Sequence, residues 1–76
     1  MLLTEPNLTL GRRIFYYRKE LGLTQVELAA IIGIYDKHLS LIETGKIVPR
    51  TLTLARLAAV FEVTIEELVG DRSATP

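Results

Sequence analysis

Seventy-six residues, 49% of them apolar, make one small domain, with enough apolar surface for a core and too much for a disordered chain. The absence of cysteine excludes disulfides and a thiolate zinc site, and nine basic residues cancel nine acidic ones, so net charge cannot draw the protein to a polyanion. The opening MLLTEPNLTL has no basic leader pattern and no apolar run approaches membrane-spanning length, which sets the expectation of an intracellular chain with no membrane partner.

In chain order, residues 1–8 contain Pro6 and no periodicity and read as an N-terminal arm. A first helix is expected from Leu10 to Glu20, capped by Thr9, with Leu10, Ile14, Tyr17 and Leu21 as its buried stripe. Phe15 and Tyr16 lie off that stripe and read as partly buried against the arm. Gly22 takes the left-handed position that ends the helix. Thr24 and Glu27 then form a capping box, flanked by Leu23 and Leu28 as a hydrophobic staple, and open a second helix from Gln25 to Ile32. Leu28, Ala29 and Ile32 make its core face. Ala30 and Ile31 point elsewhere, where charge is the usual choice.

Gly33 breaks the run, and a third helix is expected from Asp36 to about Thr44, stopped by Gly45. At about 100° per residue, Leu39 and Ile42 face the core while Lys37, Ser40, Leu41 and Thr44 gather on the opposite side, with Asp36 at the edge. After the loop Gly45–Arg50, a fourth helix from about Thr51 to Phe61 buries Leu54, Leu57, Ala58 and Phe61. A second capping box, Thr64 with Glu67, opens a short fifth helix closed by Gly70, and residues 71–76 read as a polar tail. No strand signal appears. The expectation is an all-α, compact five-helix domain over residues 9–70.

Within it, Thr24 to Thr44 has the spacing of a helix-turn-helix unit: Ala29 is small enough for the following helix to approach, and Gly33 permits positive φ in the turn. Charge is also unevenly placed. Seven basic residues (Arg12, Arg13, Arg18, Lys19, Lys37, Lys46, Arg50) stand against four acidic ones between Gly11 and Arg50, and the remainder is acidic in balance.

The chain resembles the phage repressor and Cro class of helix-turn-helix proteins, often called XRE-like. The resemblance rests on Gly11-xx-Ile14, Arg18-Lys19, Gly22-Leu23-Thr24-Gln25, Glu27-Leu28-Ala29, Gly33-Ile34, Ser40, Ile42-Glu43, Gly45-Lys46, Pro49, Ala58 and Glu67-Leu68, spanning residues 9–69. It implies a cytoplasmic, nucleoid-associated homodimer that binds double-stranded DNA on a near-palindromic operator, with the third helix in the major groove. Carried over position by position, Tyr35, Asp36, Lys37 and Leu41 face base edges. Gln25, Ser40, Thr44, Lys46, Arg50 and Thr51 hold the sugar-phosphate backbone. Arg18 and Glu43 match a structural ion pair. Ile65, Val69, Leu52, Ile47 and Val48 supply an expected dimer interface.

The chemistry of these positions stands beside the resemblance. Lys37 can donate to guanine O6 or N7, Asp36 can accept from cytosine N4, and Leu41 offers apolar contact suited to a thymine methyl. Tyr35 replaces the small hydroxyl residue usual as N-cap, and Thr51–Leu52 invert the usual apolar-polar order. Lys37 and Lys46, taken singly, also fit ordinary solvated lysines. His38, the sole histidine, reads as half-buried packing or a weak phosphate contact, and no metal or cofactor is expected. An enzyme is disfavoured, with one histidine, no cysteine and no Gly-rich phosphate loop. The alternative is a protein-interaction module of the same fold, for example an antitoxin-like partner subunit, favoured by zero net charge, Asp36 and the apolar Ala30, Ile31 and Leu41.

Overall fold

The computed structural model describes residues 9–70, so the expected arm at 1–8 and tail at 71–76 lie outside the described residues. Five helices follow in order: α1 (Leu10–Glu20), α2 (Gln25–Ile32), α3 (Asp36–Glu43), α4 (Thr51–Phe61) and α5 (Ile65–Val69). No strand occurs among the described residues, and the architecture is the expected all-α, five-helix one.

Local chemistry sets most of the boundaries. The Thr9 hydroxyl accepts from the Arg12 N–H at 3.2 Å and opens α1. Both capping boxes are formed: Thr24 with Glu27 at 2.9 and 3.0 Å, and Thr64 with Glu67 at 2.8 and 3.0 Å. At the end of α1, the Leu23 N–H donates to the Arg18 carbonyl and the Gly22 N–H to that of Lys19, a Schellman closure. Gly33, at φ +80°, turns the chain between α2 and α3, and the Arg56 guanidinium donates to the Ile32 carbonyl at 3.2 Å there. The end of α4 uses Glu62 at φ +59° for the same purpose, where a side chain costs roughly 1–2 kcal/mol relative to glycine.

Every helix sends at least one fully enclosed side chain inward: Ile14, Leu28, Leu39 with Ile42, Leu57 and Leu68. Each contributes about 1.5–3 kcal/mol by leaving water. Tyr17 stacks on Phe61 with ring centroids 5.0 Å apart, fastening α1 to α4.

The inward stripe of α1 differs from the expected one. Gly11, Ile14 and Arg18 are buried, Leu10 and Tyr17 are half-buried, and Leu21 is 51% exposed. Leu21 keeps right-handed dihedrals (φ −84°, ψ −3°) as the C-cap, but it stands at the very end of α1, where the left-handed Gly22 turns the chain away. The true stripe follows i, i+3, i+7 through a glycine and an arginine, which hydrophobicity alone does not mark. His38 is exposed rather than half-buried, and Ile47, expected at the dimer interface, is half-buried against the core. Thr44 caps α3 instead of continuing it.

Gly11 is buried because α1 crosses the end of α3 there at backbone distance. A Cβ at this position would lie 2.5 Å from the carbonyl oxygens of both Ile42 and Glu43. These are main-chain atoms and cannot swing aside as a side chain can. Gly11→Ala is expected to lower stability in urea denaturation by about 2 kcal/mol or more, at the upper end of overpacking costs. A shift within experimental error would show that the two helices are not in contact at this point.

Candidate nucleic-acid interface

The third helix is held from beneath by a polar network. The Arg18 guanidinium meets the Glu43 carboxylate through two hydrogen bonds, Nε to Oε2 at 2.7 Å and Nη2 to Oε1 at 3.1 Å, with both side chains buried. Arg18 also donates from Nη1 to the Leu23 carbonyl at 2.9 Å, reaching the connection between α1 and α2. The Gln25 side-chain amide donates to Glu43 Oε1 at 2.9 Å. One carboxylate thereby joins α1, the start of α2 and the end of α3.

The outward side of α3 is free of such ties. Tyr35, Asp36, Lys37, His38, Leu41 and Thr44 are exposed, Ser40 is half-buried, and Leu39, Ile42 and Glu43 face inward. Tyr35, at 85% exposure, sits as N-cap with extended dihedrals and no capping hydrogen bond. Arg50 stands likewise before Thr51 at the start of α4. α1, α2 and α5 begin under threonine hydroxyls, whereas α3 and α4 leave their first-turn N–H groups without a side-chain acceptor. Such groups, with the partial positive charge of a helix start, suit an anion. The Thr44 hydroxyl donates back to the Ser40 carbonyl at 2.9 Å, so only its lone pairs face solvent.

In the loop between α3 and α4, Lys46 and Arg50 are exposed while Pro49 is buried. The Lys46 N–H donates to the Leu41 carbonyl at 2.9 Å, which fixes the loop where it leaves α3.

The positive charge of the front half is smaller at the surface than in the sequence. Arg18 is paired inside, and Arg13 is 3% exposed, its guanidinium lying where a Gly70 side chain would stand. Arg12 is exposed, donates to the Tyr16 hydroxyl at 3.0 Å and lies over the rings of Phe15 and Tyr16. Lys19, Lys37, Lys46 and Arg50 remain exposed. Lys19 counts in the sequence among the basic residues and stands beside Arg18 in the family pattern, with no interface role expected of it. It lines an open cleft of about 530 Å³ with Arg18, Gln25, Val26 and Asp36, and the signal for it was its place in the last turn of α1, just before the chain doubles back.

Of the residues expected at a dimer interface, Val48 (83%), Leu52 (60%) and Ile65 (36%) are exposed, and Ile47 and Val69 are half-buried. Among the described residues no His/Asp/Glu cluster suits a metal ion, and no helix is long and apolar enough to cross a membrane.

Comparison with known proteins agrees with this arrangement. A family model described as helix-turn-helix matches residues 14–68. The uncharacterised HTH-type transcriptional regulator y4dJ of Sinorhizobium fredii is 38% identical over 66 residues, covering 87% of this chain and 86% of its own. The ImmF control region 10 kDa protein of Bacillus phage phi105 is 39% identical over 59 residues, 78% of this chain and 66% of its own. Among solved structures, the P22 c2 repressor in complex with synthetic operator 9T superposes with a TM-score of 0.80 at 26% identity, covering 86% of this chain and 100% of its own. The SinR protein in complex with SinI gives 0.77 at 33% identity, over 90% of this chain and 67% of its own.

Removing either partner of the Arg18–Glu43 pair strands a buried charge, at a cost of about 3–5 kcal/mol. Arg18→Met and Glu43→Gln should each destabilise by that order in chemical denaturation. The double variant should lose far less than the sum. Strict additivity would mean that the two side chains do not interact in solution.

Proposed function

Since the chain belongs to the XRE-like helix-turn-helix family of the phage repressor and Cro class, whose members are DNA-binding regulators of transcription, we propose that it is a sequence-specific regulator that binds a near-palindromic operator as a homodimer with α3 in the major groove. The observation that carries this reading is the outward face of α3. Six exposed residues there face solvent on a helix rigidly held from behind by Arg18, Glu43 and the core. Its first turn is left uncapped. A face built only for solvent has no need of such anchoring.

In this reading Tyr35, Asp36, Lys37 and Leu41 address base edges. Lys37 donates to guanine, Asp36 accepts from cytosine N4 and repels phosphate, and Leu41 meets a thymine methyl. Asp36 weakens binding everywhere except opposite a suitable donor and so acts as a filter for sequence. Gln25, Ser40, Thr44, Lys46, Arg50 and the N–H groups at Thr51 serve the backbone, setting register without reading sequence. The protein works in the cytoplasm at the nucleoid.

A second reading has its own support. Val26 and Ile31 on the outer side of α2 are 62% and 58% exposed, and Ala30 is exposed beside them, an apolar face suited to another protein. The complex of the related SinR with SinI keeps that role open for this fold. A mobility-shift assay with genomic fragments separates the two, since a pure interaction module shifts none.

With Lys46, Arg50 and one or two further cations on each protomer, a dimer neutralises on the order of 6–8 phosphates, and log K should fall with log salt at a slope of roughly −5 to −7. Lys46→Ala should weaken binding alike at all sequences and flatten the slope by about 1 per protomer. Salt-independent binding would remove these cations from the interface.

Ile65 and Val69 on α5, with Leu52, Val48 and the edge of Ile47, form the proposed twofold contact, self-complementary as such an interface must be. It would set two α3 helices on half-sites roughly 34 Å apart. Val69→Asp should yield a monomer by sedimentation that keeps its helical circular dichroism and loses operator binding. Wild-type protein that stays monomeric at high micromolar concentration and protects a single half-site would exclude the dimer.

A further inference from the structure

We infer that Glu43 is a positioning residue for phosphate recognition: the carboxylate that pairs with Arg18 also aims the Gln25 side-chain amide, so that a donor of that amide meets a DNA phosphodiester oxygen. The inference rests on the DNA-binding reading above and assigns the buried pair a part in it. A carboxylate accepts and never donates, so Glu43 Oε1 can hold Gln25 only through its nitrogen. The contact at 2.9 Å therefore decides which way the amide faces. The Nε2 group carries two hydrogens. One is used on Glu43, and neither the second nor the carbonyl oxygen has a hydrogen-bond partner among the described residues.

Gln25 is half-buried, which restrains its side chain, yet it lines the cleft that Lys19 and Asp36 also line. It is the first residue of α2. The capping box uses the Glu27 N–H and leaves those of Gln25 and Val26 to an outside acceptor. An anionic oxygen in this cleft is met by the amide, by those N–H groups and by Lys19. The choice of donor matters because Asp36 brings a negative charge to the same cleft. If the amide were turned over, its oxygen would join that charge and the phosphate would be repelled. Without the fixed orientation, the amide also spends side-chain entropy on each binding event.

The two charges of the pair serve this arrangement in different ways. Arg18 neutralises Glu43, so no net negative charge stands behind the cleft, and its bond to the Leu23 carbonyl sets the approach to α2. Glu43 supplies the acceptor that Gln25 needs. A buried apolar pair could hold the helices equally well and could not orient an amide.

The test uses the intact chain labelled with 15N and a short random-sequence duplex, following the two Gln25 side-chain amide protons by NMR. The proton bound to Glu43 should keep its shift as DNA is added, while its partner should move. Gln25→Met, which leaves the Arg18–Glu43 pair untouched, should bind every sequence roughly tenfold more weakly per protomer, the value of one hydrogen bond to a charged group. Its salt slope should stay at the wild-type value, because a neutral amide displaces no counterion. Glu43→Leu, which leaves no acceptor, should mobilise the Gln25 amide if it folds, and the wild-type spectra decide the question if it does not. Wild-type affinity in Gln25→Met, with α2 and α3 backbone amides still responding to DNA, would overturn the role of Glu43 alone. Absence of any response in those backbone amides would overturn the DNA-binding reading together with it.

Discussion

Glu43 is gripped by α1 at both its ends. Its carboxylate takes the fork of Arg18, and its carbonyl lies where only the missing side chain of Gly11 leaves room. Gly11, Ile14 and Arg18 fall on one stripe of α1, so three unlike residues act along a single line of contact. The glycine sets how near the helices come, the isoleucine sinks into the core, and the arginine sets direction. An apolar substitute for the ion pair would be no less stable in principle. A bidentate fork, however, accepts one planar orientation of its partner, which dispersion contacts do not require. Because Glu43 is the last residue of α3, its placement fixes the far end of the helix proposed to enter DNA.

This anchoring divides α3 cleanly. Leu39, Ile42 and Glu43 belong to the fold, and the residues across the helix stand in solvent. The charge distribution shows the same division. Arg13 and Arg18 contribute to a count of basic residues and nothing to the exposed charge, whereas Lys19, Lys37, Lys46 and Arg50 stand in solvent. A neutral chain can thus present local positive charge without a strongly basic composition, and Asp36 among those cations tempers attraction to any passing polyanion.

The helix boundaries were legible because they are written in local chemistry that involves few residues. Threonine followed by glutamate three positions on starts α2 and α5, and Gly22, Gly33 and Gly70 stop their helices where left-handed backbone is needed. The Arg18–Glu43 match came from family resemblance and not from spacing, since the partners are far apart in sequence. What stayed hidden depends on a second helix. The inward face of α1 cannot be found by hydrophobicity when it carries a glycine and an arginine, and Leu21 looks buried until the chain is seen to turn beneath it. The family pattern gives Gln25 a phosphate contact alone, yet half of its nitrogen's capacity is taken by Glu43, a tie that exists only because α2 and α3 are packed. Glu62 gave no sign at all of its left-handed backbone, because the preference there belongs to glycine and is overruled by the closure of α4.

The side chains of Tyr35, Asp36, Lys37 and Leu41 make no hydrogen bond to any other described residue, and all four are exposed. Folding constrains Tyr35, Asp36 and Lys37 by little more than helix propensity, while Leu41, 40% exposed, keeps part of its side chain against the protein. Their identities can drift or be exchanged wholesale while the scaffold beneath keeps its shape. If α3 enters DNA as proposed, a lineage built on this fold could change its target by altering four codons, and each intermediate would still be a folded protein on which selection could act.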